Sequence, residues 1–209
     1  MKKLLLTLTA VAGLTAASQA QEFGFGKGNV IVEGNLGLST TNNKESKTKQ
    51  TDFKFTPKVG YFLTDKVAVG INLHANTANT KNTATSVEQK TNKNELGAGV
   101  FGRYYFLELG SRFKAYGELN ADYTSLKSDV TTGGNKVKSP KVNNIGVNAG
   151  IGANYFLTEK IAVNFAFANV VGFNSSKASG SKATTNFGAN INQYNNFFDA
   201  ATFGLTFKF

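Results

Sequence analysis

The chain has 209 residues, with 22 glycines and two prolines, and its formal charge at neutral pH is +10. It contains no cysteine, which excludes a disulfide scaffold and a metal site built from thiolates. The basic residues are scattered, without a basic helix or a sheet motif of basic and aromatic residues, so nucleic acid is not an expected partner. No segment has the composition of a linker, and we expect one domain.

The first 20 residues have the three parts of a secretory signal peptide. Two lysines precede an apolar run from Leu4 to Leu14, and small residues ending at Ala20 suit cleavage by a signal peptidase. The apolar run is shorter than the roughly 20 residues that a membrane-spanning helix needs. We therefore expect a signal peptide at residues 1–20 and a single mature domain at residues 21–209.

Eight later segments alternate apolar and polar residues with a period of two, which is typical of β-strands with two different faces. In chain order these segments begin at Asn29, Phe53, Val67, Glu95, Phe113, Asn144, Ile161 and Ala201. The hairpin sequence YFLTDKVAVGINL at Tyr61 returns as YFLTEKIAVNFAF at Tyr155. The second half of the chain thus repeats the hairpin plan of the first.

The connections between the predicted strands alternate between short and long. Short turns are expected near Thr64, Gly110 and Thr158. We interpret four polar stretches as long loops: Thr40–Thr51, Thr77–Asn94, Lys127–Asn143 and about 174–198. In the last stretch, the aromatic residues that could extend the final strand are Tyr194, Phe197 and Phe198. Strict alternation of this kind is typical of the periplasmic turns and extracellular loops of membrane β-barrels.

The two faces of the predicted strands differ in size and polarity. One face carries Leu, Val, Ile, Phe and Tyr, and the other carries Gly, Asn, Ala, Thr and charges of both signs. On the seventh strand, the residues assigned to the apolar face are Ile161, Val163, Phe165 and Phe167. A soluble lipocalin-like barrel would need the large apolar side chains inside, whereas small and polar residues suit a narrow eight-stranded lumen. We predict an all-β fold, an eight-stranded antiparallel up-and-down transmembrane β-barrel.

Aromatic residues collect where the short turns begin. The residues that precede these turns are Tyr61, Phe62, Tyr104, Tyr105, Phe106, Tyr155 and Phe156. The eight steps from Phe53 to Tyr61 span roughly 27 Å along a strand. At a tilt of roughly 40° the rise is about 20 Å, close to the apolar band between two aromatic girdles. We expect these aromatic residues to form such a girdle.

With its signal peptide, strand number, GYFLTDKVAVG segment and terminal Phe209, the mature chain resembles the small outer-membrane β-barrels of the OmpA/OmpX type, often described as porin-like. The resemblance covers Asn29–Phe209. It implies a location in the outer membrane of a Gram-negative bacterium, among lipid and lipopolysaccharide, and recognition of the last strand by the barrel-assembly machinery. Pro57 lies within a predicted strand, where we expect a bulge or a kink.

Nine charged residues are predicted to face the lumen, five basic and four acidic: Glu33, Lys54, Lys58, Glu95, Arg103, Lys114, Glu118, Asp122 and Lys208. An unpaired buried charge is costly, so balanced signs indicate a network of ion pairs and hydrogen bonds that fills the barrel. If Phe106 lies opposite Phe113, Arg103 is diagonal to Glu118, and we predict that ion pair. An ion pathway would need a wider lumen than eight strands usually provide.

Two other motifs have a chemical interpretation. Gly97–Gly102 matches G-x-G-x-x-G but lies inside a strand, so we expect no dinucleotide site, and no other cofactor or metal is predicted. His74 faces the lumen near its outer rim and could act as a base, as in outer-membrane acyl-transfer enzymes. Because nothing in the sequence fixes a serine or acidic partner for His74, we expect a hydrogen-bonded polar residue and no enzymatic activity.

Each of the four long loops has a net charge of +2 or +3. Loops of this charge would be attracted to lipid A phosphates or acidic surface polymers, although lysines also serve simply to solvate flexible loops. The sequence therefore predicts a structural barrel that contributes to envelope integrity and to adhesion or binding through basic loops, with no identified ligand. The alternatives are a small solute or ion channel and a lipid-modifying enzyme that uses His74.

Overall fold

The computed structural model describes residues 23–84, 87–189 and 202–209. The predicted signal peptide, residues 1–20, lies outside the described residues, and so do the aromatic residues Tyr194, Phe197 and Phe198. A search of the described residues found no helix that is both long enough and apolar enough to cross a membrane.

The described chain forms ten β-strands in one closed sheet. They are β1 (Val30–Asn43), β2 (Thr48–Phe62), β3 (Val67–Asn82), β4 (Gln89–Leu109), β5 (Phe113–Thr132), β6 (Asn135–Lys138), β7 (Val142–Phe156), β8 (Ile161–Ala178), β9 (Thr184–Ala189) and β10 (Thr202–Lys208). Antiparallel pairing runs from β1 through β5 to β7 and β8, and β10 pairs with both β8 and β1. Since β9 and β10 pair with different halves of β8, they share the eighth position. The predicted eight-stranded antiparallel barrel is confirmed.

In the part of the chain that the structure describes, the long polar segments are largely extended β-hairpins, and their interpretation as loops was wrong there. β1 and β2 stay paired as far as Asn43 and Thr48, and β3 and β4 as far as Asn82 and Gln89. The segment after β5 likewise contains β6, and the segment after β8 contains β9. A membrane-spanning strand needs only about 9–11 residues, whereas β4 has 21. These hairpins therefore extend well beyond the membrane.

The large apolar side chains point away from the lumen, as predicted. Leu36, Ile71 and Leu96 are 55%, 59% and 68% exposed. Their neighbours on the opposite face are buried, and Asn35 and Asn72 are only 5% and 1% exposed. A period of two in the sequence has thus produced an apolar outer surface around a polar interior.

Two local features of the strands differ from the simple alternating pattern. Pro57 interrupts the pairing of β2 with β3, and because the register is the same on both sides of it, the ladder shows no bulge at this position. The pairing of β7 with β8 is irregular instead, with register shifts between Ala149 and Gly152. The extra residues in β8 shift the local alternation, so Phe167 lines the lumenal cavity rather than the outer face.

The aromatic residues before the short turns divide between the two faces of the barrel. Tyr61 and Tyr104 are 48% and 53% exposed on the outer surface. Phe62, Tyr105 and Phe156 are buried in the lumen. Because adjacent residues of a strand point to opposite faces, only part of the aromatic set expected at this level lies on the outer surface of the barrel.

Candidate functional site

Four ionisable side chains meet in the middle of the lumen, and we call Glu33, Lys58, Arg103 and Glu118 the ion network. The Arg103 Nη1 atom lies 2.9 Å from Glu33 Oε2, and Nη2 lies 2.5 Å from Glu118 Oε2. Lys58 contacts the other carboxylate oxygen of Glu118. Sheet register places opposite charges on facing residues, because Glu33 pairs with Lys58 and Arg103 pairs with Glu118.

The Arg103–Glu118 contact arises from a different register than the sequence indicated. Phe113 pairs with Leu109 and not with Phe106, and the β4–β5 ladder is irregular between Tyr105 and Leu107. Arg103 is therefore directly opposite Glu118 instead of diagonal to it. The guanidinium donates to Glu118 Oε2 from both Nε, at 2.8 Å, and Nη2.

Polar neighbours satisfy the buried charges of the ion network. Glu33 accepts hydrogen bonds from Asn35 at 2.8 Å, Asn164 at 3.0 Å and Thr206 at 3.0 Å. Arg103 stacks over the Tyr116 ring, with its guanidinium carbon 3.9 Å from the ring centroid. Both Glu33 and Arg103 are only 1% exposed. Such complete satisfaction is required, since a buried charge without partners costs several kcal/mol.

An aromatic cluster fills the lumen between the ion network and the short turns. We define it as Phe23, Phe25, Phe62, Tyr105, Tyr116 and Phe156. The Phe25 ring centroid lies 4.5 Å from that of Phe62, 4.9 Å from Tyr105 and 5.0 Å from Phe156. These separations are typical of packed aromatic pairs. The aromatic cluster closes this end of the barrel with apolar side chains.

The segment before β1 supplies two members of the aromatic cluster. Lys208 Nζ donates a hydrogen bond to the carbonyl oxygen of Gly24 at 2.8 Å, and the backbone N–H of Lys27 donates to Asp65 Oδ1 at 2.8 Å. Sequence reasoning missed Phe23 and Phe25 because they precede the first alternating strand. The aromatic and glycine repeat in FGFG is the signal that could have drawn attention to them.

The other five residues predicted for the lumenal charge network do not join the ion network. They are Lys54, Glu95, Lys114, Asp122 and Lys208. Glu95 accepts a hydrogen bond from Asn76 at 2.7 Å, and Lys114 pairs with Glu108 at 2.6 Å. Lys54 has no hydrogen bond or ion pair with any residue in the described part of the chain. The charges thus form several separate contacts, not one continuous network.

A partly enclosed polar cavity of about 270 Å³ lies on the outer side of the ion network. Lys58 and Glu118 line it, together with Lys54, His74 and Asp122. His74 Nε2 lies 3.0 Å from Asp122 Oδ1, so the single histidine has an acidic partner that the sequence did not fix. No serine is among the described residues that line the cavity. In all of the chain that the structure describes, no group of three or more His, Cys, Asp or Glu side chains could hold a metal ion.

A family model described as "Outer membrane protein beta-barrel domain" matches residues 5–209 of the chain. The chain belongs to this family. Its location is the outer membrane of a Gram-negative bacterium. In such barrels the long hairpins are on the extracellular side and the short turns face the periplasm. The aromatic cluster is therefore at the periplasmic end, and the polar cavity lies toward the outside.

The chain is similar to solved outer-membrane proteins. OprG from Pseudomonas aeruginosa is 16% identical, with 89% of this chain and 98% of that chain covered and a TM-score of 0.52. Outer Membrane Protein W from E. coli is also 16% identical, with 88% and 99% covered and a TM-score of 0.42. No curated protein matches the chain. At this level of identity, the similarity to OprG shows the fold alone.

Proposed function

We propose that this outer-membrane barrel is a structural protein of the envelope whose lumen is closed and whose basic hairpins interact with anionic groups outside. The main support is the filling of the lumen by two successive barriers. The ion network occupies its middle with Arg103 and Glu33 only 1% exposed, and the aromatic cluster follows with Phe62 and Phe156 at 0%. An eight-stranded barrel leaves room for little beyond its own side chains.

The ion network obstructs the passage of ions because its basic and acidic side chains are already paired with one another. An ion passing Arg103 would have to displace contacts with two carboxylates at once. It would then meet an apolar region with few groups to replace its hydration shell. A closed lumen argues against the small channel that the sequence left as an alternative.

Planar-bilayer recordings test the closed lumen. Reconstituted mature protein should give no stable single-channel currents, because both barriers must open together. A general porin added to the same bilayers serves as the positive control, and heat-modifiable migration on gels shows that the sample is folded. Uniform, long-lived current steps from the folded protein would contradict the closed lumen and favour a channel.

We also propose that His74 has a structural role. Its contact with Asp122 at 3.0 Å is a hydrogen-bonded pair in a polar cavity, which is the usual role of a polar residue in a lumen. Cells that carry His74→Ala should therefore have the same lipid A profile by mass spectrometry as cells that carry the natural protein. Asp122→Asn is the matched second variant. A change in lipid A structure with either variant would favour the enzyme alternative.

Assembly of the barrel fits the predicted roles of the two ends of the chain. Residues 1–20 would direct export and be removed, and the strand that ends at Phe209 would be read by the barrel-assembly machinery. Phe209 and Val30 exchange backbone hydrogen bonds of 2.9 and 3.0 Å, so the last residue takes part in joining β10 to β1. Recognition of this strand would thus act on the element that closes the barrel.

A further inference from the structure

Three lysines stand side by side on adjacent strands of the extracellular hairpins, and we call Lys49, Lys81 and Lys90 the lysine row. Lys49 on β2 pairs directly with Lys81 on β3, and Lys81 pairs directly with Lys90 on β4. Like charges directly opposite each other destabilise a sheet. The lysine row therefore costs free energy unless anionic groups lie against it.

One end of the lysine row has such a group within the chain. Glu88 lies between two lysines, with its carboxylate oxygens 2.6 Å from Lys81 Nζ and 2.8 Å from Lys90 Nζ. The hydrogen bonds from these lysines hold the pKa of the Glu88 carboxyl below its ordinary value. The repulsion between Lys81 and Lys90 is thereby compensated by the protein itself.

The other end of the lysine row is not compensated in this way. Lys49 has no ion pair with any described residue, and neither do Lys44 and Lys47 at the tip of the same hairpin. These lysines open onto a cleft of about 520 Å³ lined by Asn42, Lys44, Lys47, Lys49, Lys81 and Thr83. We call this the lysine cleft. The ammonium groups of Lys44, Lys47 and Lys49, which have no ion pair among the described residues, give it an excess of hydrogen-bond donors.

The lysine row lies on the lipid-facing side of the barrel wall. Lys49 lies four positions before the outward-facing Phe53, so the two residues share a face of β2. The β1–β2 and β2–β3 ladders have no register shift between them. On β3, Lys81 lies eight positions after the outward-facing Leu73, so these two residues also share the outer face. Four steps from Phe53 correspond to roughly 13 Å along the strand. The row is therefore just beyond the apolar band, at the level of the lipid headgroups.

We propose that the lysine cleft binds the phosphate groups of lipopolysaccharide in the outer leaflet around the barrel. This rests on the proposed function, because it assigns a partner and a position to the anion binding of the basic hairpins. Lysine binds phosphate as a point charge, and basic residues near an anionic membrane surface add favourable interactions one by one. The outward direction of the row favours a lipid-anchored phosphate over a soluble polymer that approaches from above.

Lipid A binding by the purified protein in uncharged detergent tests the assignment. The cleft variant carries Lys44→Gln, Lys47→Gln and Lys49→Gln. The control variant carries Lys141→Gln between β6 and β7, Lys177→Gln on β8 and Lys182→Gln between β8 and β9. Both lose three charges from exposed positions, so folding should be preserved and is checked by heat-modifiable migration. The cleft variant should bind bisphosphorylated lipid A on the order of tenfold more weakly. The control variant should bind within about twofold of the natural protein.

Three results would overturn the lysine cleft as a phosphate site. The first is equal loss of affinity in both variants, which would leave general attraction to anions, and so the proposed function, intact. The second is equal binding of dephosphorylated lipid A by the natural protein. The third is tighter, cleft-dependent binding of a soluble sulfated polysaccharide, which would assign the cleft to a soluble polyanion.

Discussion

Replacing Arg103 with methionine should lower the free energy of unfolding by about 3–5 kcal/mol, as expected when one partner of a buried ion pair is removed. The substitution leaves Glu33 and Glu118, which are 1% and 9% exposed, without their shared cation. Lys58 still contacts Glu118, but Glu33 retains only neutral donors. Urea unfolding in lipid vesicles, followed by heat-modifiable migration, measures the loss.

Two further variants show whether the effect of Arg103→Met comes from the buried carboxylates. Lys54→Met also removes a lumenal cation, but Lys54 has no ion pair among the described residues, so its effect should stay within about 0.5 kcal/mol. Adding Glu33→Gln to Arg103→Met removes one of the two carboxylates that lost their cation. The double variant should therefore recover part of the free energy of unfolding, because substitutions at contacting residues are not additive. Unchanged stability of Arg103→Met would show that the ion network does not hold the lumen together.

Phe62→Ala should destabilise the barrel by about 3–5 kcal/mol, the usual cost of truncating a buried phenylalanine. The Phe62 side chain is 0% exposed and stacks on Phe25 with ring centroids 4.5 Å apart. Its removal would leave a cavity that lipid cannot reach, since Phe62 is inside the barrel. The same urea unfolding assay in vesicles measures this loss.

Phe187→Ala is the matched control for Phe62→Ala. Phe187 lies on β9 and is 74% exposed, so its truncation should change the free energy of unfolding by no more than about 0.5 kcal/mol. Equal effects of the two substitutions would mean that Phe62 is not in a packed lumenal cluster. The aromatic barrier at the periplasmic end would then be untenable.

The sequence was sufficient to predict the barrel and the direction of its faces. Contact with lipid requires apolar side chains on the outer surface. Because the side chains of a strand alternate between two faces, apolar residues such as Leu36 and Ile71 recur at every second position. The same parity puts Arg103 and Glu118 on the face opposite these residues, and both are buried in the structure. These features depend on a single strand and its neighbours in sequence, which is why a pattern can reveal them.

Contacts across the lumen could not be predicted in the same way. Glu33 and Arg103 lie on β1 and β4, and their 2.9 Å contact depends on the stagger and width of the closed barrel. The hairpin extensions were missed because polar residues such as Thr40 and Lys49 pair through the backbone without an apolar signal. The lysine row could not be predicted either, because it depends on strand register. Lys49 and Lys81 are 32 positions apart in the sequence and become neighbours only when β2 pairs with β3.

Single tryptophans test most directly whether the bulky residues of the barrel face lipid around a filled polar lumen. The natural chain has no tryptophan, so Ile71→Trp, Leu119→Trp and His74→Trp each report one position without background. In vesicles, brominated lipid chains should quench the fluorescence at positions 71 and 119 and leave that at position 74 largely unquenched. Strong quenching at position 74 with none at positions 71 and 119 would show that the bulky residues line the interior and do not face lipid.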